Sequence, residues 1–308
     1  MTNKYYLGVD IGGTNTVYGV VNQTGEIIFQ GNFNTKLYNE PIELVKDIFK
    51  SFQNFSSKND IQIKGIGIGA PNGNFNNGCI EFAPNLFWGE MIPIADYFSN
   101  IFQLPSKLTN DANAAAIGEK TFGGAKLMND FIVLTLGTGL GSGIYVNNQI
   151  VHGKNGFAGE YGHTKCNESS RQCTCGKIGC IETYVSARGI VQTYQEFYFA
   201  NKGKMPDKEI STKQIYNLAV DGDSIAIETY SKTAHILGNS LSNLINILDP
   251  EAIFLFGGIA NAHPLLIPIL KESINNNVLP ILKGKTKILP SQLLNKNAAV
   301  LGSAAMWF

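Results

Sequence analysis

His163 and the run Cys173-Thr-Cys175-Gly-Lys-Ile-Gly-Cys180 place one imidazole and three thiols at spacings that suit a closed four-ligand zinc site. Zinc held by four protein ligands keeps no open position for water or substrate, so its role there is structural. Cys166 is the alternative fourth ligand, while Cys79 reads as an ordinary buried thiol. Glu160 stands three residues before His163, and Glu182 two residues after Cys180. These carboxylates, with the second imidazole nitrogen, form a cluster able to bind vicinal hydroxyls, and the metal would orient it.

A second group of residues suits phosphate. In Asp10-Ile11-Gly12-Gly13-Thr14, the two glycines let backbone amides approach phosphate oxygens and Thr14 adds a hydroxyl donor. Asp10 would repel phosphate directly, so its natural task is Mg2+ or the water around it. The motif lacks the GxxxxGK[ST] of a P-loop, and a hairpin rather than a helix follows, which argues against a dinucleotide fold. Gly137-Thr138-Gly139 supplies a second cradle, and Gly257-Gly258 a candidate surface for a base and ribose. Each of the three could also be a turn that simply needs glycine. Asn110-Asp111 opens an alanine-rich helix, where the positive helix end keeps a carboxylate ionised. Asp111 could therefore accept the proton of an attacking hydroxyl, or serve as part of a helix cap.

The elements that position these residues follow from hydrophobic period and turn chemistry. Strands are expected at Tyr5 to Asp10, Thr16 to Val21 and Ile27 to Phe33, then a helix from Pro41 to Phe52 and a strand from Ile63 to Ala70. The pattern returns as strands at Phe131 to Leu136, Ser142 to Val146 and Gln149 to His152. Both halves thus open on strand, Gly/Thr turn, strand, as two copies of one α/β unit would. Helices are expected at Asp111 to Gly118, Ser186 to Ala200, Ser224 to Leu248 and Asn297 to Trp307, with a buried strand at Ala252 to Phe256.

A chain of 308 residues has room for two cores. Zero formal net charge, a pI near 6.9 and the lack of a long basic stripe give no sign of nucleic acid as a partner. The N-terminus has no signal-peptide pattern, and glycines interrupt the apolar stretch Phe131 to Val146. A cytoplasmic protein without membrane segments is expected.

Together these residues resemble the ROK family of repressors and sugar kinases. The resemblance runs over nearly the whole chain, through Asp10-Ile-Gly-Gly-Thr14, Ala83-Pro-Asn-Leu86, Asn110-Asp-Ala-Asn-Ala-Ala-Ala116, Gly137-Thr-Gly139, Gly159-Glu-Tyr-Gly-His163, the cysteine run with Glu182, and Gly257-Gly258. It implies an α/β, duplicated actin/hexokinase-like (ribonuclease H-like) fold with two domains around a central cleft. Residues 1–118 would form the smaller domain, with a C-terminal helix at about 296–308 packing back on it, and 119–295 the larger, zinc-bearing one. It also implies ATP-dependent phosphorylation of the 6-hydroxyl of a hexose, glucose first, in a homodimer or homotetramer. Asp111 would be the base; Asn85, Asn110, Glu160, His163 and Glu182 would hold the sugar; His163, Cys173, Cys175 and Cys180 would hold Zn2+. ATP with Mg2+ would lie on the turns at Asp10, Gly12, Gly13 and Thr14, at Gly137, Thr138 and Gly139, and at Gly257 and Gly258.

Two positions depart from the family pattern: Asn72 follows Pro71 where glycine is usual, and Asn15 stands where lysine is frequent. The first touches sugar preference, the second phosphate neutralisation. An N-acetylhexosamine kinase is the alternative within the same chemistry. A DNA-binding repressor would need a winged-helix segment, and only nine residues precede Asp10. A non-catalytic sensor would be expected to lack Asp111 or the phosphate turns.

Overall fold

Strands β1 (Tyr5–Ile11), β2 (Asn15–Asn22) and β3 (Ile27–Asn34) form an antiparallel meander. The second turn is fixed by Asn22, whose Oδ1 accepts from the amides of Thr24 and Glu26, and by Gly25 at φ 81°. The computed structural model describes residues 4–166, 170–294 and 296–308. It divides into unit 1 (Met1–Met128, Ile150–Gly159, Asn295–Phe308) and unit 2 (Asn129–Gln149, Glu160–Leu294). Residue 118 lies inside a helix, so the chain first leaves unit 1 only after Met128 and returns to it at Ile150–Gly159.

In unit 1 the meander leads into α1 (Pro41–Asn59), which starts on a proline at its first turn and buries Leu44, Val45, Ile48 and Phe52. It runs seven residues past the Phe52 end expected from sequence, because Ser56-Ser57-Lys58-Asn59 continue it without an apolar face. Then come β4 (Ile63–Ala70), a small hairpin of β5 (Ile80–Glu81) and β6 (Met91–Ile92), α2 (Ile94–Phe102), β7 (Ser106–Asn110) and α3 (Asp111–Phe122). The sheet order is β3-β2-β1-β4-β7, with β1, β4 and β7 parallel. A C-terminal helix, Ala298–Ala305, packs on β1, β4 and α3. Its approach is close enough that a Cβ on Gly8 or Gly67 would collide with the carbonyls of Val300 and Ser303.

Unit 2 repeats the order. β8 (Phe131–Leu136), β9 (Leu140–Val146) and β10 (Gln149–Ile150) are followed by α4 (Glu182–Val185), α5 (Ala187–Lys202), α6 (Thr212–Val220) and α7 (Ser224–Leu248). β11 (Ala252–Phe256), α8 (His263–Asn277) and β12 (Lys287–Pro290) complete it. The sheet reads β10-β9-β8-β11-β12, antiparallel at β8/β9 and parallel at β8/β11 and β11/β12. The fold is therefore α/β, with two similarly built five-stranded mixed sheets. Several elements differ from the sequence reading. β10 stops at Ile150 rather than His152, and α2, α6 and α8 were not foreseen. Pro264 at the start of α8 and Pro268 within it mask that helix. Among the described residues no helix is long and apolar enough to cross a membrane.

Candidate functional site

In each unit some of the residues singled out by the sequence lie at or just past the carboxyl ends of strands, at β1 and β7 in unit 1 and at β8 and β11 in unit 2. In unit 1, Asp10 is the penultimate residue of β1 and pairs in register with Gly69 of β4, while Ala70 of β4 pairs with Asn110 of β7. The Asp10 turn is closed by the Gly12 amide donating to the Asn15 carbonyl at 3.0 Å, with Thr14 and Asn15 exposed. The missing side chain of Gly13 admits Asn85: a Cβ there would lie 2.7 Å from the Asn85 Cβ. Asn85 is exposed between buried Ala83 and Leu86, which pin its loop.

β7 runs into α3 with no intervening loop. The Asn110 side chain caps the helix by accepting from the Ala112 amide at 2.8 Å, and Asp111 Oδ1 accepts from the same amide at 2.8 Å. The Asp111 carboxyl touches solvent, yet the surrounding protein displaces enough water to push its pKa up, against backbone hydrogen bonds from Ala112 and its own amide that lower it. Asp10 is pushed up to about 7, by burial first and then by the Asp111 charge. Two carboxyls raised by desolvation, one of them raised further by the charge of the other, are a donor set that a divalent cation would relieve, which fits Mg2+.

Asn72 adopts φ 50°, a backbone state glycine takes freely and asparagine tolerates. Its Nδ2 donates to the carbonyls of Glu81 at 2.9 Å and Phe82 at 3.1 Å. The amide therefore fastens the segment that leads to Asn85. Beside it, Asn74 donates to Glu81 Oε1 at 2.8 Å and to the Asn155 carbonyl at 3.0 Å, and Phe75 stacks on His152 at 4.1 Å. This clamp was not legible in sequence, since its partners lie about eighty residues apart.

In unit 2, the turn from β8 to β9 holds Gly137, Thr138 and Gly139, closed by the Gly137 amide donating to the Gly139 carbonyl at 3.1 Å. The Gly137 carbonyl accepts from the Ala187 amide of α5 at 2.8 Å. Glu182 Oε2 accepts from the Leu140 amide at 2.9 Å and sits so close to Gly139 that a Cβ there would meet it at 2.6 Å. Gly257 (φ 97°) lies against the Leu136 carbonyl, which brings the Gly257-Gly258 loop beside the turn at the ends of β11 and β8.

The sequence reading had no signal for one further feature. A cavity of about 510 Å3 lies between α5 and the start of α6, lined by Ala187, Arg188, Val191, Gln192, Ser211 and Thr212. Its wall begins at the residue whose amide holds Gly137.

One ligand atom from each of His163, Cys173, Cys175 and Cys180 falls within a group no wider than 4.8 Å. Cys173 Sγ is 3.7 Å from His163 Nδ1, and the Sγ atoms of Cys175 and Cys180 are 3.6 Å apart. A tetrahedral zinc with thiolates at 2.3 Å would separate its sulfurs by about 3.8 Å, so the set fits. Cys166, the alternative ligand, packs instead in the unit 2 core. Burial and then the neighbouring Cys175 and Cys173 push the Cys180 thiol up to about 12. For Cys175, burial raises the pKa, but the Lys177 amide, the flanking thiols and the Lys177 charge outweigh it, and the thiol is lowered. One thiol ionised readily beside another held protonated is an imbalance that a bound cation relieves. His163 Nε2 points the other way, 3.9 Å from Glu160 Oε2. Unit 2 thus brings Glu160, His163 and the cysteines together, with Glu182 beside the Gly137–Gly139 turn.

A family model described as the ROK family matches residues 6–308. A glucokinase of Halalkalibacterium halodurans is 33% identical over 91% of this chain and 88% of its own. A xylose repressor of Bacillus spizizenii is 30% identical over 98% of this chain and 76% of its own. The crystal structure of a ROK family glucokinase from Streptomyces griseus, in complex with glucose and AMPPNP, is 30% identical with a TM-score of 0.82, covering 98% of both chains.

Proposed function

The chain belongs to the ROK family, and from that premise we propose that it transfers the γ-phosphate of ATP to the 6-hydroxyl of a hexose, glucose first. The observation that carries this is Asp111: a carboxylate fixed at the first residue of α3, beside Asp10 and capped by Asn110. Phosphoryl transfer to an alcohol needs a group to take the hydroxyl proton, and little else is asked of the protein besides positioning and charge neutralisation. Asp111 takes that proton. Desolvation by the surrounding protein pushes its pKa up, which makes it a stronger base than an ordinary carboxylate.

Asn85, Asn110, Glu160, His163 and Glu182 are the residues we assign to the sugar hydroxyls. Glu182 Oε2 accepts from the Leu140 amide, and Oε1, the oxygen we assign to the sugar, lies 3.9 Å from Cys173 Sγ. Asp10 would hold Mg2+, which neutralises the phosphates when bound. The amides of Gly12, Gly13, Thr14, Gly137, Thr138 and Gly139 cradle the phosphate oxygens. The cavity beside Ala187, together with Gly257 and Gly258, receives the base and ribose. His163, Cys173, Cys175 and Cys180 would hold a structural Zn2+. The duplicated sheet is read as the actin/hexokinase-like fold, and the assembly as a homodimer, which light scattering would check.

A coupled ADP-release assay tests this over glucose, mannose, fructose, N-acetylglucosamine, N-acetylmannosamine and xylose. Turnover with one of the hexoses is expected. Xylose has no 6-hydroxyl, so it can occupy the site without accepting phosphate. Failure of every hexose to raise ADP release would overturn the reading.

A further inference from the structure

Arg171 belongs by its backbone to the cysteine loop and by its side chain to α5. Its carbonyl accepts from the Gly179 amide at 2.9 Å, inside the run that ends at Cys180. Its guanidinium is buried and uses both terminal nitrogens. One donates to the carbonyls of Thr183 at 2.9 Å and Gly189 at 3.0 Å. The other donates to Thr193 Oγ1 at 2.9 Å and Glu196 Oε2 at 2.7 Å. The plane rests 4.3 Å from the Tyr184 ring centroid. No residue of this network belongs to the ligand set assigned above.

The helix it grips is the one that walls the nucleotide cavity. Ala187, Arg188, Val191 and Gln192 of α5 line that cavity, and the Ala187 amide fastens the Gly137 carbonyl of the phosphate turn. Gly189 and Thr193, which Arg171 holds, lie within the same two turns of α5. A buried guanidinium with four partners fixes position strongly, because its loss breaks four hydrogen bonds at once, one of them to a carboxylate. We infer that Arg171 is a positioning residue for nucleotide binding: it ties the cysteine loop to the first turns of α5 and so sets the cavity and the Gly137 turn. The cysteine loop would thereby serve the nucleotide as well as the sugar. This rests on the kinase reading of the cavity, and the test separates the two.

Arg171→Met keeps an unbranched side chain and removes every donor. Calorimetric titration with AMPPNP and, separately, with glucose should show AMPPNP binding weakened about 10-fold or more, the scale of a lost hydrogen bond to a charged group. Glucose affinity should stay within about 3-fold, since Glu160 and His163 are not in the network. Arg171→Lys, which keeps the charge and part of the donor set, should recover part of the AMPPNP affinity. A loss confined to stability would leave both affinities of the folded fraction unchanged, and that result would overturn the inference. If Arg171→Met does not fold by circular dichroism, Glu196→Gln serves instead, because Glu196 is half exposed and lies at the far end of the network. It should weaken AMPPNP binding about 2- to 3-fold and leave glucose unchanged, and an unchanged AMPPNP affinity again overturns the inference. Wild-type protein that binds no AMPPNP at all would remove the nucleotide reading itself, and this inference with it.

Discussion

The β1–β2 turn and the β8–β9 turn stand at the same place in two sheets of the same strand order, yet they carry different chemistry. The penultimate residue of β1 is Asp10, and the penultimate residue of β8 is Thr135. Thr135 accepts from the Gly141 amide through its hydroxyl at 3.2 Å and brings no charge. Asp10 brings a carboxylate, and Asp111 on the adjacent helix raises its pKa further. On the proposed reading both turns would offer amides to phosphate, and only the first would add carboxylates for a cation and a proton. Each turn is closed by a hydrogen bond of its own and braced from outside, the first by the Thr35 amide at the Thr14 carbonyl, the second by Glu182 at Leu140 and by Ala187 at Gly137.

The widest separation between the units should appear on replacing Asp111. Asp111→Asn is expected to lower kcat by about 10²–10⁴-fold, with glucose affinity still measurable by calorimetry. If kcat stays near that of wild type, the acid–base role of unit 1 is lost and the contrast with it. Cys175→Ala breaks the comparison from the other side. It should lose bound zinc by metal analysis and weaken sugar affinity about 10-fold or more through movement of Glu160 and His163. Unchanged zinc content would remove the metal assignment.

A pH series sharpens the difference in charge. The Asp10 carboxyl is raised in the fold, so its contribution to stability is fully present below the unfolded pKa of about 4 and is lost as pH rises through about 7. In ligand-free protein Asp10→Asn should therefore gain Tm relative to wild type, by about 4 °C or more at pH 8 and by little at pH 4. A Tm difference that does not change between those pH values would show that Asp10 is not raised. Thr135→Val offers the matching control in unit 2 and should show no such pH dependence. The smallest effect is expected at Asn72. Asn72→Gly keeps the left-handed backbone but loses two hydrogen bonds, so sugar KM should rise about 2- to 5-fold with kcat nearly unchanged. A fall in kcat alone would mean that Asn72 does not act through the Asn85 loop.

Where an arrangement was local, its geometry was legible in the sequence. The Asp10 turn, the Gly137 turn and the cysteine run each fit within a few residues, and repetition of strand, turn, strand announced two similar sheets. The choice between His163 and Cys166 needed coordinates, because spacing alone suits either and only the fold sends Cys166 into the core. Arg171 gave no signal, since a single arginine beside Gln172 shows nothing of partners between twelve and twenty-five residues onward. The cavity was hidden for a similar reason: its walls come from one face of α5 and the start of α6. Asn72 was legible as a departure in residue type, but its hydrogen bonds to Glu81 and Phe82 were not.

The central claim is that a hexose hydroxyl takes the γ-phosphate of ATP. Phosphorus NMR of wild-type protein turning over ATP and glucose with Mg2+ tests it most directly. The account predicts one new phosphomonoester at carbon 6 of glucose for each ADP formed. ADP accompanied by inorganic phosphate and no sugar phosphate would contradict it.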